Sequence, residues 1–229
     1  MPAGKGHTFI LIAIFALTSI SIIGHYLNRQ PQVDGGLRLE SALLDRIGQQ
    51  YGLTARQRLV DWQTLMNNGK ALPELEKLQR VNDFFNRNIA FVDDQLQWQK
   101  RDYWATPVEF LYTGAGDCED FAIAKYFTLL EMGVDESKLR ITYVKALQIN
   151  QAHMVLTYFT DTHAEPLVLD NLMSVISPAT VRRDLQPVYS FNGSGLWRAK
   201  VKGSGRLIGD AEQLNPWADL KRRMINEAL

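Results

Sequence analysis

The stretch "GAGDCEDFAIAKYF", residues 114–127, holds the chain's only cysteine, Cys118, at the point where loop residues give way to an apolar helical pattern. The apolar spacing predicts a helix from Asp117 to about Met132. Backbone N–H groups at the start of a helix favour a thiolate, whereas Asp117 and Glu119 place negative charge beside the sulfur. A reactive thiol at this position therefore needs a cationic partner, and imidazolium is the usual one.

The composition fits a chain with one sizeable core and no nucleic-acid partner. The 229 residues are 46% hydrophobic, which is enough apolar material for such a core. The 25 basic and 25 acidic residues cancel, whereas binding to nucleic acid requires a basic face. The sequence has neither a phosphate-binding P-loop nor a dinucleotide-binding glycine motif, so nucleotide binding has no support.

The N-terminal segment has the features of an export or anchoring device. Lys5 and His7 precede an uncharged apolar run from Thr8 to Gly24. This run is typical of the hydrophobic region of a signal peptide and is slightly short for a membrane span. We expect residues 1–30 to be a signal peptide or an N-terminal membrane anchor, and residues 31–229 to work outside the cytoplasm. One cysteine in an exported chain forms no internal disulfide, so the thiol is either buried or used in chemistry.

The order of the predicted elements indicates an α+β fold, with a helical first half followed by an antiparallel sheet. The predicted helices cover residues 37–52, 54–69, 72–89, 106–112, 117–132 and 210–229, and the predicted strands cover 139–147, 153–159, 166–172, 187–191 and 196–201. Thr54 is the expected N-cap of the second helix, and Leu75 is expected to face the core. The doublet Asp93–Asp94 is expected in a solvated turn.

Two histidines lie outside the N-terminal segment. His163 stands in the polar turn "TDTHAEP" and is expected to be solvated, whereas His153 opens a predicted strand. If the strands "HMVLTYF" and "PLVLDNL" form a hairpin, a symmetric turn between them pairs Val155 with Val168. The same register places His153 opposite Asp170, with Cβ atoms about 5 Å apart. A carboxylate at this distance orients the imidazole and fixes its tautomer.

The chain thus offers a thiol at a helix start, an imidazole on a strand and a carboxylate on the next strand. Cys118, His153 and Asp170 are the residue types that cysteine-dependent acyl-transfer enzymes combine. A purely structural interpretation stays open, in which Cys118 is inert, its acidic neighbours cap the helix and His153 belongs to the core.

Five segments carry a resemblance to a known family: "DYWATPVEFLYTGAGDCEDFAIAKYFTL", "LRITYVKA", "HMVLTYF", "LVLDNL" and "PVYSFNGSGLW". Together they resemble the bacterial transglutaminase-like cysteine proteinases, over residues 75–200 or so. The resemblance implies a papain-like, transglutaminase-core fold. It also implies that Cys118 is the nucleophile, His153 the general base and acid, and Asp170 the carboxylate that orients the histidine.

A bound cation would explain the acids beside the cysteine. Two carboxylates raise the pKa of an adjacent thiol, and a divalent ion reverses that effect. Oxygen ligands suit calcium, whereas zinc would consume Cys118 or His153 as a ligand. The resemblance implies calcium (Ca2+) close to the nucleophile through Asp117 and Glu119, and Asp120 is a further candidate ligand. The alternative is that these acids only cap the helix.

The resemblance also implies a location, a substrate and a partner. The enzyme would work in the periplasm, soluble or tethered to the inner membrane, and would cleave the N-terminal region of a large surface adhesin near a di-alanine site. Release of the adhesin would promote biofilm dispersal, and an inner-membrane cyclic di-GMP receptor would sequester the protease. Two alternatives stay open: a transglutaminase that passes the acyl group to an amine, and a non-catalytic binding module on the same fold.

Overall fold

The computed structural model describes residues 39–161 and 163–227, and the expected export segment, residues 1–30, lies outside them. This part of the chain contains seven α-helices: α1 (Ser41–Tyr51), α2 (Leu53–Gly69), α3 (Glu74–Asn88), α4 (Asp94–Gln97), α5 (Pro107–Thr113), α6 (Cys118–Glu131) and α7 (Asn215–Glu227). Two short 3₁₀ helices cover Glu136–Lys138 and Ala211–Gln213. Across the described ranges, every helix is too short or too polar to span a membrane.

The strands of the described residues form two sheets. They are β1 (Ala90–Phe91), β2 (Ala115–Gly116), β3 (Leu139–Ala146), β4 (Gln151–Tyr158), β5 (Leu167–Leu169), β6 (Ser177–Pro178), β7 (Leu185–Asn192), β8 (Gly195–Arg198) and β9 (Arg206–Gly209). Strands β1 and β2 form a parallel pair, and the others form an antiparallel sheet in the order β6-β5-β4-β3-β7-β8-β9. The predicted α+β class is confirmed. The sequence pattern does not predict β9, nor β1, β2 and β6, which are too short to show alternation.

Two details of the first helices differ from the predictions. Gly52 has a φ of 90°, ends α1 and directly precedes α2, which begins at Leu53 rather than after an N-cap at Thr54. Glycine adopts this left-handed conformation without the steric cost that a Cβ brings. Leu75 is 60% exposed because it lies in the first turn of α3, whereas the buried face of that helix begins two residues later.

The pairing of β4 with β5 differs from the predicted register by two residues. The observed pairs are Leu156–Leu169, Thr157–Val168 and Tyr158–Leu167, so the predicted pairing of Val155 with Val168 is wrong. The turn is centred further along the chain, where the Asp161 carboxylate accepts two backbone N–H groups. A shift of two residues keeps each side chain on its original face. Asp170 therefore stays on the face of His153, as its diagonal neighbour rather than its direct opposite.

Helix α6 is the central element of the core. It packs against β4 and α3, and most of its side chains are buried. The sheet side chains that share this core include Ile141, Met154, Leu156 and Phe191. A separate, smaller cluster of the sheet consists of Val144, Val155 and Val168. The packing of α6 on β4 brings the N-terminus of the helix to the strand that carries His153.

Candidate active site

A glycine-rich turn sets the position of Cys118. Helix α5 ends at Gly114, whose φ of 70° reverses the chain into β2. At Gly116 a Cβ atom would lie 2.3 Å from an oxygen of Asp120 and 2.7 Å from the Phe110 ring, so only glycine fits there. Helix α6 then begins at Cys118. The turn therefore delivers the thiol to the first position of a helix, as the sequence predicts.

The Cys118 sulfur lies between a donor from the sheet and acids from its own loop. The backbone N–H of Met154 in β4 bonds to the sulfur, which itself donates to Glu119 Oε2 at 3.1 Å. Burial raises the pKa of Cys118 well above its usual value, and the negative charges of Glu119 and Asp117 raise it further. Burial and the two acids therefore keep the sulfur protonated as a thiol. Formation of the thiolate requires a base to take the proton and a positive charge to offset the carboxylates of Glu119 and Asp117.

His153 and Asp170 form the buried contact that the sequence predicts. His153 Nε2 lies 2.8 Å from Asp170 Oδ1, and the histidine is 4% exposed. Burial alone would raise the pKa of Asp170, but the hydrogen bonds that it accepts, chiefly from His153, lower it to about 2. An ionised carboxylate only accepts hydrogen bonds, so Nε2 carries the proton and Nδ1 is the free basic nitrogen. His153 directly precedes Met154, whose backbone N–H bonds to the Cys118 sulfur, whereas His163 lies in an exposed turn.

Five carboxylates surround the start of α6. Ligand atoms of Asp94, Asp117 and Asp120 lie within 4.8 Å of one another. The same holds for ligand atoms of Asp94, Asp102 and Glu119. The predicted metal ligands Asp117, Glu119 and Asp120 therefore all belong to this acidic cluster. Asp94 and Asp102 complete the cluster, and the sequence pattern does not single them out.

Asp94 does not lie in the solvated turn that the sequence predicts for the Asp93–Asp94 doublet. Asp93 is the exposed N-cap of α4, and its carboxylate accepts the N–H of Gln95 at 2.9 Å. Asp94 is 2% exposed, and its Oδ2 accepts the N–H of Tyr103. The first turn of α4 thus directs one acid of the doublet to solvent and the other into the core.

Carboxylate oxygens without partners make the acidic cluster suitable for a cation. Oδ1 of Asp94 and Oδ1 of Asp117 are buried without a hydrogen-bond partner among the described residues. Burial, and then the charge of Glu119, raise the pKa of Asp117 far above its usual value, and both also raise the pKa of Asp94 to about 6. Asp120 differs, because its oxygens accept the N–H groups of Ala105 at 2.7 Å and Asp117 at 3.3 Å. A cation would satisfy the unpaired oxygens, and an all-oxygen donor set suits calcium.

The chain matches one protein family over more than half of its length. The family model of the bacterial transglutaminase-like cysteine proteinases, Peptidase_C93, matches residues 61–183, the range that contains Cys118, His153 and Asp170. The chain belongs to this family of cysteine proteinases. Comparison with curated proteins found no match.

Solved structures of LapG from Legionella pneumophila are similar to this chain. EGTA-treated LapG is 44% identical with a TM-score of 0.71, over 81% of this chain and 98% of that one. A second LapG structure is 44% identical with a TM-score of 0.70 and the same coverage. Calcium-bound LapG is 43% identical with a TM-score of 0.69, over 81% of this chain and 99% of that one. The transglutaminase-like fold of LapG is therefore also the fold of this chain.

Proposed function

We propose that the chain is a calcium-dependent cysteine endoprotease, with Cys118 as nucleophile, His153 as base and acid, and Asp170 as the orienting carboxylate. The observation that carries the proposal is the His153–Asp170 hydrogen bond, at the strand position that adjoins the Cys118 sulfur. Membership of a cysteine proteinase family supports the reaction class. Cys118 is also the only thiol that the sequence offers.

The reaction begins when His153 Nδ1 takes the proton of the Cys118 thiol and the sulfur attacks the carbonyl carbon of the scissile peptide. Backbone N–H groups at the start of α6 stabilise the oxyanion that forms. The imidazolium gives its proton to the leaving amine, and a thioester remains on Cys118. His153 then takes a proton from water, whose oxygen attacks the thioester carbonyl and displaces the sulfur. The acid product is freed, and the imidazolium returns the proton to the Cys118 sulfur. Asp170 holds the imidazole through Nε2 and offsets its positive charge.

The acidic cluster is the proposed calcium site. Its ligands would be Asp117 and Glu119, together with Asp94, Asp102 and Asp120. Calcium takes about six to eight oxygen ligands in a flexible geometry, which suits carboxylates from α4, the loop after it and α6. When bound, the ion supplies positive charge that offsets the acids beside the sulfur. The similarity to calcium-bound LapG supports this assignment.

The proposed substrate is the N-terminal region of a large surface adhesin, cut near a di-alanine site in the periplasm. Its release would promote biofilm dispersal, and an inner-membrane cyclic di-GMP receptor would hold the protease when that nucleotide is abundant. Residues 1–30 would export the enzyme or tether it to the inner membrane. These points follow from the family resemblance of the sequence, and the charged and apolar pattern of residues 5–24 supports export or tethering.

Mass spectrometry of an adhesin fragment tests the proposed reaction. The purified protein is incubated with calcium and an N-terminal adhesin fragment, and in parallel with a matched fragment whose di-alanine is replaced by two glutamates. We expect two new termini at the di-alanine site of the first fragment only, and none with Cys118→Ala. Isopeptide cross-links in place of new termini would indicate a transglutaminase, and binding without either product would indicate a non-catalytic module.

A further inference from the structure

Arg182 is a buried arginine that joins two carboxylates. It lies between β6 and β7 and is 3% exposed. Its Nε donates to Asp184 Oδ1 at 3.0 Å, and its Nη2 donates to Asp184 Oδ2 at 2.7 Å. The same Nη2 donates to Asp170 Oδ2 at 2.7 Å. Asp184 thus holds the Arg182 guanidinium through two hydrogen bonds. The Nη2 atom of the same guanidinium also bonds to Asp170, the carboxylate of the candidate active site.

The Asp170 carboxylate is held at both of its oxygens. Oδ1 lies 2.8 Å from His153 Nε2 and accepts the N–H of Leu172 at 3.0 Å. Oδ2 accepts from Arg182. The terminal torsion of an aspartate has a broad energy profile, so a carboxylate held on one side only would turn easily. Contacts on both oxygens therefore fix the plane of the group, and with it the direction in which the imidazole is held.

We propose that Arg182, anchored by Asp184, is a positioning residue for the reaction: it fixes Asp170 so that His153 keeps its proton on Nε2 and presents Nδ1 to the thiol. This inference rests on the proposed function, because it assigns a further residue to the same site. The hydrogen bonds of Arg182 go to Asp170 and Asp184 rather than to the Cys118 sulfur, so Arg182 acts through Asp170.

The balance of charge favours this role. A buried ion pair contributes little to stability on average, because desolvation offsets much of the attraction. Ionised Asp170 and Asp184 with the Arg182 cation sum to one negative charge, so an imidazolium at His153 makes the group neutral. The arrangement therefore suits the protonated histidine that forms during the reaction. Lys125 on α6 is another basic group close to Asp170, and its Nζ bonds to an asparagine of α3 rather than to the carboxylate.

Substitutions at Arg182 and Asp184 test the proposal in the full chain with calcium present. Arg182→Met removes the charge and both contacts, Arg182→Lys keeps the charge but not the fork of donors, and Asp184→Asn weakens the anchor. Arg183→Met is the matched control, because Arg183 is the exposed neighbour in the same segment. Thermal unfolding establishes that each variant is folded.

Two measurements report on the imidazole and on the thiol. Nitrogen-15 NMR, assigned with His153→Ala, should show Nε2–H as the single neutral tautomer in the wild type and a mixture in Arg182→Met. Alkylation of Cys118 by iodoacetamide should slow about tenfold or more in Arg182→Met, as expected for loss of a charged hydrogen bond. Arg182→Lys should restore part of the alkylation rate, and Arg183→Met should match the wild type in both measurements.

A double variant separates positioning from general stability. In an Asp170→Asn background, Arg182→Met should have little further effect on alkylation, because both changes act through the same carboxylate. A wild-type tautomer and rate in folded Arg182→Met, or an equal loss of rate in both backgrounds, would overturn the proposal. If Arg182→Met does not fold, Asp184→Asn decides by the same measurements. If wild-type alkylation does not depend on His153, the proposed function fails, while the NMR tautomer still decides whether Arg182 positions the imidazole.

Discussion

The two sides of Cys118 differ in how their charges are compensated. On the strand side, Asp170 lies between His153 and Arg182, with hydrogen-bond distances of 2.8 and 2.7 Å. On the loop side, five carboxylates meet at the start of α6. Within the described ranges, no lysine or arginine forms an ion pair with any of these five acids. The carboxylates therefore have basic partners on one side of the sulfur and lack them on the other.

This difference indicates whether each side requires a bound cation to compensate its carboxylates. On the strand side, protein groups occupy both oxygens of the Asp170 carboxylate, so the geometry of this carboxylate should not depend on an added ion. The loop side contains buried oxygens of Asp94 and Asp117 without partners, and the proposed calcium ion would compensate them. We infer that the geometry of His153 and Asp170 on the strand side does not require a bound ion. The acidic cluster on the loop side requires one to offset its charge beside Cys118.

The largest effect on the cleavage rate is expected at Cys118, which lies between the two sides. Cys118→Ala should lower the rate of peptide cleavage by at least about a thousandfold, because only binding and the oxyanion site remain. The unfolding temperature should change little, because alanine is compatible with the start of a helix. Cleavage of the adhesin fragment and thermal unfolding measure the two effects. More than a tenth of wild-type cleavage would show that Cys118 is not the nucleophile.

On the strand side, His153→Ala should be nearly as severe, because it removes the base. Asp170→Asn should have an equal or smaller effect, since it disturbs the tautomer and orientation without removing the imidazole. Initial cleavage rates in saturating calcium measure both. His163→Ala is the matched control and should leave the rate unchanged. The reverse pattern, with His163→Ala damaging and His153→Ala harmless, would refute the assignment of the base.

On the loop side, excess EGTA should lower activity about tenfold or more, because uncompensated acids disfavour the thiolate. Calcium added back should restore the rate, and magnesium should do so far less, because it demands a stricter octahedral geometry. Asp117→Ala and Glu119→Ala should abolish the rescue by calcium. Full activity in EGTA, or equal rescue by magnesium, is incompatible with a calcium site in the acidic cluster.

The smallest effect is expected at Lys125, a buried lysine of α6 close to Asp170, and it concerns stability rather than activity. Burial lowers the pKa of Lys125 to about 7, and the charge of Asp170 offsets part of this shift. Between this value and the usual lysine pKa of about 10.4, the unfolded chain binds more protons at this residue than the folded chain. The free energy of unfolding therefore rises with pH in that window, by about 3 kcal/mol from Lys125 between roughly pH 7 and pH 9.5.

Lys125→Met should remove this rise. Urea unfolding at the two pH values measures the change in the free energy of unfolding, and Lys145→Met is the control because Lys145 is exposed. An identical rise in the wild type and in Lys125→Met would show that the buried amine keeps its ordinary protonation.

Periodic patterns explain why the helix start at Cys118 and the contact between His153 and Asp170 were predictable from the sequence. The helix at Cys118 follows from apolar spacing after a glycine turn. The shared face of His153 and Asp170 follows from strand alternation, which an error of two residues in the register leaves intact. Both inferences use local patterns that repeat along the chain, so they do not require knowledge of distant contacts.

The positions of the remaining site residues depend on contacts between distant segments, and these segments show no periodic sequence pattern. Asp94 and Asp102 come from α4 and the loop after it, and Arg182 comes from the connection between β6 and β7. Asp94 is buried beside an exposed residue of the same type, Asp93, and no local pattern distinguishes the two. Their different roles follow from the packing of the folded chain, which is why Asp94, Asp102 and Arg182 could not be predicted.

Calcium binding by variants of the two sides tests the central claim most directly. Isothermal titration calorimetry compares the wild type with Asp94→Asn on the loop side and Arg182→Met on the strand side, and exposed Asp93→Asn is the matched control. We predict saturable calcium binding in the wild type, Asp93→Asn and Arg182→Met, and an affinity at least about tenfold weaker in Asp94→Asn. Equal affinity in Asp94→Asn and the wild type, or loss of binding in folded Arg182→Met, would contradict the division of the site into an ion-dependent and a self-sufficient side.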